Sequence, residues 1–173
     1  MITVDNREVM PGTGVAPSLY AIGWGLARLG RFAGQTTTWY PVLPHVYTVA
    51  DLVSREAEIH AKLHDSAESI VGEQVATWKN GLTSASEDEL LELIYREMGL
   101  DFPNEAIAAE VHIADIVARS AEAKILGHAQ PDHPHFLEAR EKYPELYEKA
   151  LEATRNRIAI YTPAYCFGET AEL

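Results

Sequence analysis

An apolar stripe at helical spacing constrains the fold of this chain more than any other feature. Its members follow one another at intervals of 4, 3, 4, 3 and 4 residues, which places them on one face of an α-helix. They are Ile107, Val111, Ala114, Ala118, Ala121 and Ile125. A second stripe repeats at 4-3-4-3 spacing and consists of Tyr147, Leu151, Thr154, Ile158 and Tyr161. Each pattern predicts a long helix with one face buried against other helices.

Shorter helices are indicated elsewhere, and strand signals are almost absent. The helical patterns cover residues 17–32, 44–54, 55–71, 86–98, 104–126 and 144–161. Ser86 and Glu89 have the spacing of a capping box at the start of one of these helices. Only Thr3-Val4 and Glu8-Val9 fit a short N-terminal β-hairpin. We therefore expect an all-α fold, formed by a single domain over residues 1–173 with its helical core at about 17–161.

Composition and charge argue against several classes of partner. A formal net charge of -12 disfavours binding to nucleic-acid polymers and to anionic membrane surfaces. The single cysteine, Cys166, precludes an intrachain disulfide and is typical of a protein in the reducing cytoplasm. Neither a secretory signal peptide nor an apolar run of about 18 residues is recognisable. The apolar tail from Tyr161 to Phe167 favours a homo-oligomer.

A polar patch lies at the margin of the apolar face of the predicted helix 55–71. That face consists of Ile59, Leu63, Ala67 and Ile70. His60, His64 and Glu68 follow at intervals of four along its edge, with Asp65 beside them. The patch is either a solvated helix surface or a metal site, because imidazole nitrogen and carboxylate oxygen suit Zn, Mn, Fe, Co or Ni.

Asp115 lies at the edge of the alanine-rich stripe and needs a partner, since desolvating an unpaired carboxylate is costly. A metal ion shared with His64 and Asp65 would supply that partner. An arginine from another helix, such as Arg28, is the alternative. Helical position taken alone favours the arginine, so the patch by itself does not establish a metal site.

The order of these residues along the chain resembles the HD-domain phosphohydrolases. The likeness is greatest to the subgroup of bacterial 5′-deoxynucleotidases and phage deoxynucleoside triphosphohydrolases, such as those acting on dATP. It extends over residues 28–119. Its motifs are Arg31-Phe32-Ala33-Gly34-Gln35-Thr36, His45, Leu63-His64-Asp65-Ser66-Ala67-Glu68, Val71-Gly72-Glu73, Lys79 and His112-Ile113-Ala114-Asp115. Phe32 and Glu73 stand where close relatives commonly have tryptophan and aspartate.

The resemblance implies a metal-dependent hydrolase. It assigns one divalent ion (Zn, Mn, Co, Fe, Ni or Mg) to four ligands, with additional Mg entering with the nucleotide. The ligands would be His45, His64, Asp65 and Asp115. Such an ion polarises a phosphoryl oxygen and lowers the pKa of bound water, and Glu68 would orient or deprotonate that water.

Substrate contacts are expected from the loop that precedes His45 and from the segment after Glu68. Arg31 matches the family's phosphate-binding arginine and offers a planar fork of donors. Lys79 would add a second positive contact. Further candidates for substrate binding are Phe32, Gln35, Trp39 and Glu73. Trp39 fits stacking on a base and anchoring of the loop in the core equally well.

The other histidines have plainer explanations. His60 is favoured as a helix-surface residue over a substrate contact, and His112 as a surface or pocket-rim residue. A proline-containing loop collects four more polar side chains without regular spacing, which favours a solvated loop over a second metal site. These are His128, Asp132, His133 and His135.

The function expected from this pattern is hydrolysis of a small-molecule nucleotide, in particular release of triphosphate from a deoxynucleoside triphosphate. The alternative is a 5′-deoxynucleotidase that releases phosphate from dNMPs. A second alternative is a non-catalytic module that binds a nucleotide. The presence of all four ligand positions and of Glu68 argues against the non-catalytic module. The same ordered spacing disfavours a purely structural helical protein.

Overall fold

Helices joined by short connections make up the chain in this computed structural model, which describes residues 1–10, 12–72 and 81–161. In chain order they are α1 (Leu19–Leu26), α2 (Val42–Leu52), α3 (Glu58–Leu63), α4 (Glu68–Val71), α5 (Gly81–Glu97), α6 (Glu105–Ile125), α7 (Pro134–Lys142) and α8 (Pro144–Tyr161). A short 3-10 turn, Arg31–Gly34, lies between α1 and α2. The all-α prediction is confirmed, because the described ranges contain no strand. None of these helices has the length and apolar character needed to cross a membrane.

The long helix α6 lies at the centre and packs against α2, α3, α7 and α8. Asn104 caps its first turn by accepting a hydrogen bond from the amide of Ile107 over 3.0 Å. The predicted stripe is buried, with Ala114, Ala118 and Ala121 at most 1% exposed. Because an alanine side chain ends at Cβ, facing helices can approach the axis of α6 closely along this stripe.

Helix α2 packs closely against α6, and one face of α2 is buried as a result. Val42, Val46 and Val49 lie in the apolar interior, at most 2% exposed. His45 lies in the same helix and is fully buried as well. An imidazole therefore enters the interior on α2, where it needs polar partners from neighbouring elements.

The first predicted helix, 17–32, ends earlier than its pattern indicates. Ser18 caps α1, accepting a hydrogen bond from the amide of Ala21 over 3.1 Å, and the helix ends at Leu26. The chain then runs beside the entry to α2: the Arg31 amide donates to the Tyr40 carbonyl over 2.8 Å. This pairing takes up the backbone groups that a longer helix would use, so Arg31 lies in the 3-10 turn and not on the first helix.

The helix predicted over 55–71 is divided into α3 and α4. Between them the backbone closes over three residues, with the Ser66 amide donating to the Leu63 carbonyl at 2.9 Å and the Glu68 amide to the Asp65 carbonyl at 3.0 Å. The Ser66 hydroxyl donates to the same Leu63 carbonyl over 2.6 Å. This hydroxyl competes with the ordinary helical bond at that carbonyl. The tight turn that results carries His64 and Asp65.

The other predicted helix boundaries agree with the structure in some places and differ from it in others. The helices predicted at 104–126 and 144–161 are confirmed as α6 and α8. The capping box is wrong, because α5 begins ahead of Ser86 and both of its residues lie inside the helix. Helix α7 has no counterpart in the sequence prediction; His133 caps it by accepting a hydrogen bond from the amide of His135 at 3.4 Å.

The N-terminal segment forms a turn with minimal pairing. One isolated antiparallel bridge joins Ile2 and Glu8, where the sequence suggested two short strands. The amide of Val9 donates to the carbonyl of Met1 over 2.9 Å, which closes the segment on itself. The predicted hairpin is thus present only as a single bridge.

Two glycines of α1 offer a test of the packing between α1 and α4. A Cβ atom on Gly25 would lie 2.8 Å from the Ser69 carbonyl oxygen, whereas a Cβ on Gly23 would meet no atom within 4 Å. We expect Gly25→Ala to lower the free energy of unfolding by about 1–3 kcal/mol through overpacking. Gly23→Ala should raise it by up to about 1 kcal/mol, because alanine favours the helix. Urea denaturation monitored by circular dichroism measures both, and equal effects of the two substitutions would contradict this packing.

Candidate metal centre

Three separate elements bring their polar side chains together in the interior. His45 comes from α2, His64 and Asp65 from the turn after α3, and Asp115 from the middle of α6. Nε2 of His45 lies 3.2 Å from an oxygen of Asp115 and 3.5 Å from an oxygen of Asp65. Nε2 of His64 lies 3.3 Å from Asp65 and 3.9 Å from Asp115. Residues that are 70 positions apart in sequence therefore share one small volume.

One donor atom from each of His45, His64 and Asp115 falls within 4.8 Å of the other two, so this group can hold a metal ion. Asp65 borders the group, with its two oxygens divided between the histidines: Oδ2 is near His45 and Oδ1 is near His64. All four predicted ligands therefore adjoin one another, although only three of them share a single point of convergence.

The hydrogen bonds of the two imidazoles fit metal binding through Nε2. Nδ1 of His64 donates to the carbonyl of Ala61 over 2.7 Å, and Nδ1 of His45 lies 2.9 Å from Glu122. Nε2 of each ring is buried and makes no hydrogen bond of acceptable geometry. Since Nδ1 carries the proton in both pairs, the lone pair of each neutral ring is on Nε2, facing the two aspartates.

Electrostatic pairing within the cluster outweighs the cost of burial. Burial lowers the pKa of His64, but the neighbouring carboxylates of Asp65 and Asp115 raise it to about 9. Burial and the charge of Arg31 also lower the pKa of His45, but Glu122 and Asp115 raise it by more, so the pKa of His45 lies above its ordinary value. Without metal, His64 is thus an imidazolium ion facing carboxylates, and a metal ion would replace its proton.

The two aspartates respond in the opposite sense. Burial alone would raise the pKa of each carboxyl group, because it disfavours the charged form. His64 holds the pKa of Asp65 well below its ordinary value, with a smaller effect from Arg31. His45 and then Arg119 do the same for Asp115. Both carboxylates are therefore ionised and able to act as ligands at neutral pH.

Glu122 is the residue that sequence reasoning missed. It is fully buried, its oxygens lie 2.9 and 3.0 Å from Nδ1 of His45, and one of them accepts a hydrogen bond from Nε of Arg31 over 3.2 Å. Glu122 follows Asp115 by seven residues, which is two helical turns, so the two acids share one face of α6. That spacing beside the alanine stripe was the available signal, but it did not reveal the partners.

Arg31 is buried near the cluster and is 4% exposed. Its Nε is engaged by Glu122, so the arginine that the resemblance assigns to phosphate also has a structural partner. The next residue, Phe32, has a φ of 55° and packs against His128, with ring centroids 4.6 Å apart and the rings tilted by 37°. A left-handed conformation is costly for an aromatic residue, so the surrounding contacts must hold this turn in place.

The remaining predicted site residues differ in their exposure. Glu68 is buried at the start of α4, in the turn of helix that follows Asp65. Gln35 is exposed, and Trp39 is 38% exposed with its ring packed against Gly30. The predicted substrate contacts Glu73 and Lys79 lie outside the described residues.

The alternatives raised for other polar residues also have structural answers. Asp115 forms its ion pair with Arg119, at 3.7 Å, whereas Arg28 lies over the Trp24 ring. His60 stacks on Tyr95 and hydrogen bonds to its hydroxyl over 3.0 Å.

The loop that precedes α7 gives no second metal group within the part of the chain that the structure describes. Asp132 pairs with Arg140 at 2.7 Å, and His133 caps α7. Asp132 and His133, two of the four polar residues of this loop, therefore have structural roles.

No protein-family model and no curated protein sequence matches this chain. Its function is therefore inferred from the chemistry of the cluster together with the resemblance of its motifs. The observation with most weight is the pair of buried, inward-facing Nε2 atoms beside two ionised carboxylates. Two nitrogen and two oxygen donors of this kind suit Mn, Fe, Co, Ni or Zn better than Mg.

Glu122→Ala is expected to weaken metal binding by about 10- to 100-fold, because the carboxylate that orients His45 is lost. Glu122→Gln should have a smaller effect, since its amide oxygen can still accept the Nδ1 proton. Glu138→Ala removes the same charge from the exposed face of α7 and is the control. Isothermal titration with Mn or Co measures the affinities. Equal affinities for the wild type and both Glu122 variants would contradict the positioning role.

The raised pKa of His64 predicts how stability depends on pH in the presence of a chelator. A histidine with a folded-state pKa of about 9 and an unfolded value near 6.5 stabilises the fold fully below pH 6.5. That contribution is lost as the pH rises toward 9. We expect the melting temperature of the wild type to fall over this interval by several degrees more than that of His64→Asn. Identical pH profiles for the two proteins would show that His64 is not stabilised as an imidazolium.

Proposed function

We propose that this chain is a divalent-metal-dependent phosphohydrolase that acts on deoxynucleoside triphosphates and releases triphosphate. The observation that supports the proposal most strongly is the convergence of His45, His64 and Asp115, with Asp65 beside them and both buried Nε2 atoms facing carboxylate oxygens without a hydrogen bond. The similarity of the ordered motifs to the HD-domain phosphohydrolases supports the choice of reaction. The Arg31–Thr36 segment supports the choice of a triphosphate substrate over a monophosphate.

The metal would polarise a phosphoryl oxygen, lower the pKa of a bound water and offset the charge of the substrate. His45 and His64 would bind it through Nε2, and Asp65 and Asp115 through carboxylate oxygens. Both aspartates are ionised without any further activation, as their lowered pKa values require. The proton on the imidazolium of His64 would have to leave when metal enters.

Glu68 is proposed to orient the attacking water and accept its proton. It is a carboxylate buried in the turn of helix after Asp65, which is an unusual environment for glutamate. A general base held in this way contributes about 10²- to 10⁴-fold to a hydrolysis rate. Arg31 is proposed to bind phosphate from the buried side, with Glu122 fixing the orientation of its guanidinium.

The decisive experiment is a substrate panel with product identification. Wild-type protein is incubated with dNMPs, dNTPs, NTPs and a generic phosphate ester, each with Mn, Co, Mg or a chelator. We expect metal-dependent formation of deoxynucleoside and triphosphate from dNTPs. Phosphate release from dNMPs would instead assign a 5′-deoxynucleotidase. Absence of turnover with every metal would reject the enzyme and favour a nucleotide-binding module.

Substitutions assign roles to the site residues. Asp65→Ala should abolish turnover and weaken metal binding, because a ligand is removed. Glu68→Gln should lower kcat by about 10²- to 10⁴-fold while metal affinity is retained, since the base alone is lost. Asp51→Ala, which removes an exposed carboxylate paired with Arg157, is the control. Activity that survives Asp65→Ala would show that the catalytic site lies elsewhere.

A further inference from the structure

If the proposed function holds, the part of the centre that the structure describes, which does not include Lys79, has too little positive charge for a triphosphate. A divalent ion held by Asp65 and Asp115 would carry no excess charge. The charge of Arg31 is already met by Glu122, at 3.2 Å, in the interior. The chain as a whole has a net charge of -12, so a polyanion also meets an unfavourable long-range field. A further cation close to the metal ligands is needed to bind the phosphates beyond the first.

Arg119 stands where such a cation is required. It lies one helical turn after Asp115 on α6, and its Nη1 is 3.7 Å from Oδ2 of that residue. This separation is longer than a hydrogen bond, so the pair leaves the guanidinium donors available to another acceptor. The side chain is 34% exposed, in contrast to the buried Arg31. Arg119 therefore combines proximity to a metal ligand with access from solvent.

A cavity borders α6 at Asp115 and at the residues that precede it. His64 and Asp115 line this cavity of about 220 Å³, whose wall also includes His112. His112, Asp115 and Arg119 follow at intervals of three and four residues, so they share one face of α6. Arg119 lies one helical turn beyond Asp115 and does not line this cavity, so a ligand that reaches Asp115 from the cavity meets Arg119 only if it extends past Asp115.

We propose that Arg119 binds the phosphate groups of a nucleoside triphosphate that extend beyond the phosphate at the metal. The planar guanidinium suits two phosphate oxygens at once. Arg119 faces Oδ2 of Asp115 whereas both imidazole Nε2 atoms face Oδ1, so the arginine and a metal ion would contact different oxygens of this carboxylate. Arg119 thereby selects triphosphates over monophosphates. In this proposal the buried Arg31 orients the reacting phosphate, and the more exposed Arg119 binds the other phosphate groups of the nucleotide.

Binding of inorganic tripolyphosphate tests this role without relying on turnover. The probe is supplied as its magnesium complex to metal-loaded wild type, Arg119→Gln, Arg119→Lys and Lys124→Gln, with calorimetric detection. Lys124 is exposed nine residues after Asp115 on the same helix, which places it on the opposite face of α6. Lys124→Gln therefore removes the same charge as Arg119→Gln at a position away from the site, and it is the matched control. Affinity for the metal itself is measured in parallel, so that an effect of Arg119 on Asp115 is separated from its effect on tripolyphosphate binding.

We expect Arg119→Gln to weaken tripolyphosphate binding by about 10- to 100-fold, the range for a hydrogen bond to a charged group. Arg119→Lys should be intermediate, and Lys124→Gln and orthophosphate binding should be unaffected. With dNTPs, Arg119→Gln should raise KM more than it lowers kcat.

The possible failures are distinguishable. Equal tripolyphosphate affinity for Arg119→Gln and Lys124→Gln, or no binding by the wild type, overturns the role of Arg119 even if dNTPs are hydrolysed. Arg119-dependent binding without hydrolysis of any nucleotide supports the subsite and rejects the proposed reaction instead.

Discussion

Buried charge between α2, the turn after α3 and α6 is the constraint on which the rest of the structure depends. Three carboxylates, those of Asp65, Asp115 and Glu122, face His45, His64 and Arg31 where little water reaches. Removing one partner from such a cluster typically costs about 3–5 kcal/mol, because the other charge is left buried and uncompensated. The elements that carry these side chains are therefore fixed relative to one another far more strictly than apolar contact alone would require.

The packing of α6 makes that arrangement sterically feasible. Small side chains along its buried stripe, among them Ala114 and Ala118, let α2 and α3 come close enough for short polar side chains to meet. The tight turn between α3 and α4 then points His64 and Asp65 toward the same place as His45. Apolar packing thus supplies the proximity, and the polar cluster selects one arrangement among the packed alternatives.

Hydrogen bonds around the cluster orient the side chains that the proposed chemistry needs. Each imidazole is oriented by a hydrogen bond at Nδ1, to a carbonyl for His64 and to Glu122 for His45, so Nε2 of each ring faces the aspartates. Such outer contacts define the ligand geometry before any metal enters. The same Glu122 engages Arg31, so the candidate phosphate-binding residue and a candidate metal ligand are positioned by one carboxylate. A substitution of Arg31 is therefore expected to alter the position of His45 through Glu122, and a substitution of His45 to alter the position of Arg31.

The sequence by itself determined the helical class, the two long helices α6 and α8, and the burial of the alanine stripe, because these follow from a period of 3.6 residues and from local caps. Motif order also nominated His45, His64, Asp65 and Asp115. Only the tertiary structure placed them together and added Glu122, whose contacts with His45 and Arg31 join residues 77 and 91 positions away. It also ended α1 before Arg31 and divided the helix predicted over 55–71. The end of α1 depends on a backbone hydrogen bond from Arg31 to Tyr40, which forms only when these two segments lie side by side. The division of the 55–71 helix accompanies a local bond from the Ser66 hydroxyl to Leu63, which hydrophobic periodicity does not reveal.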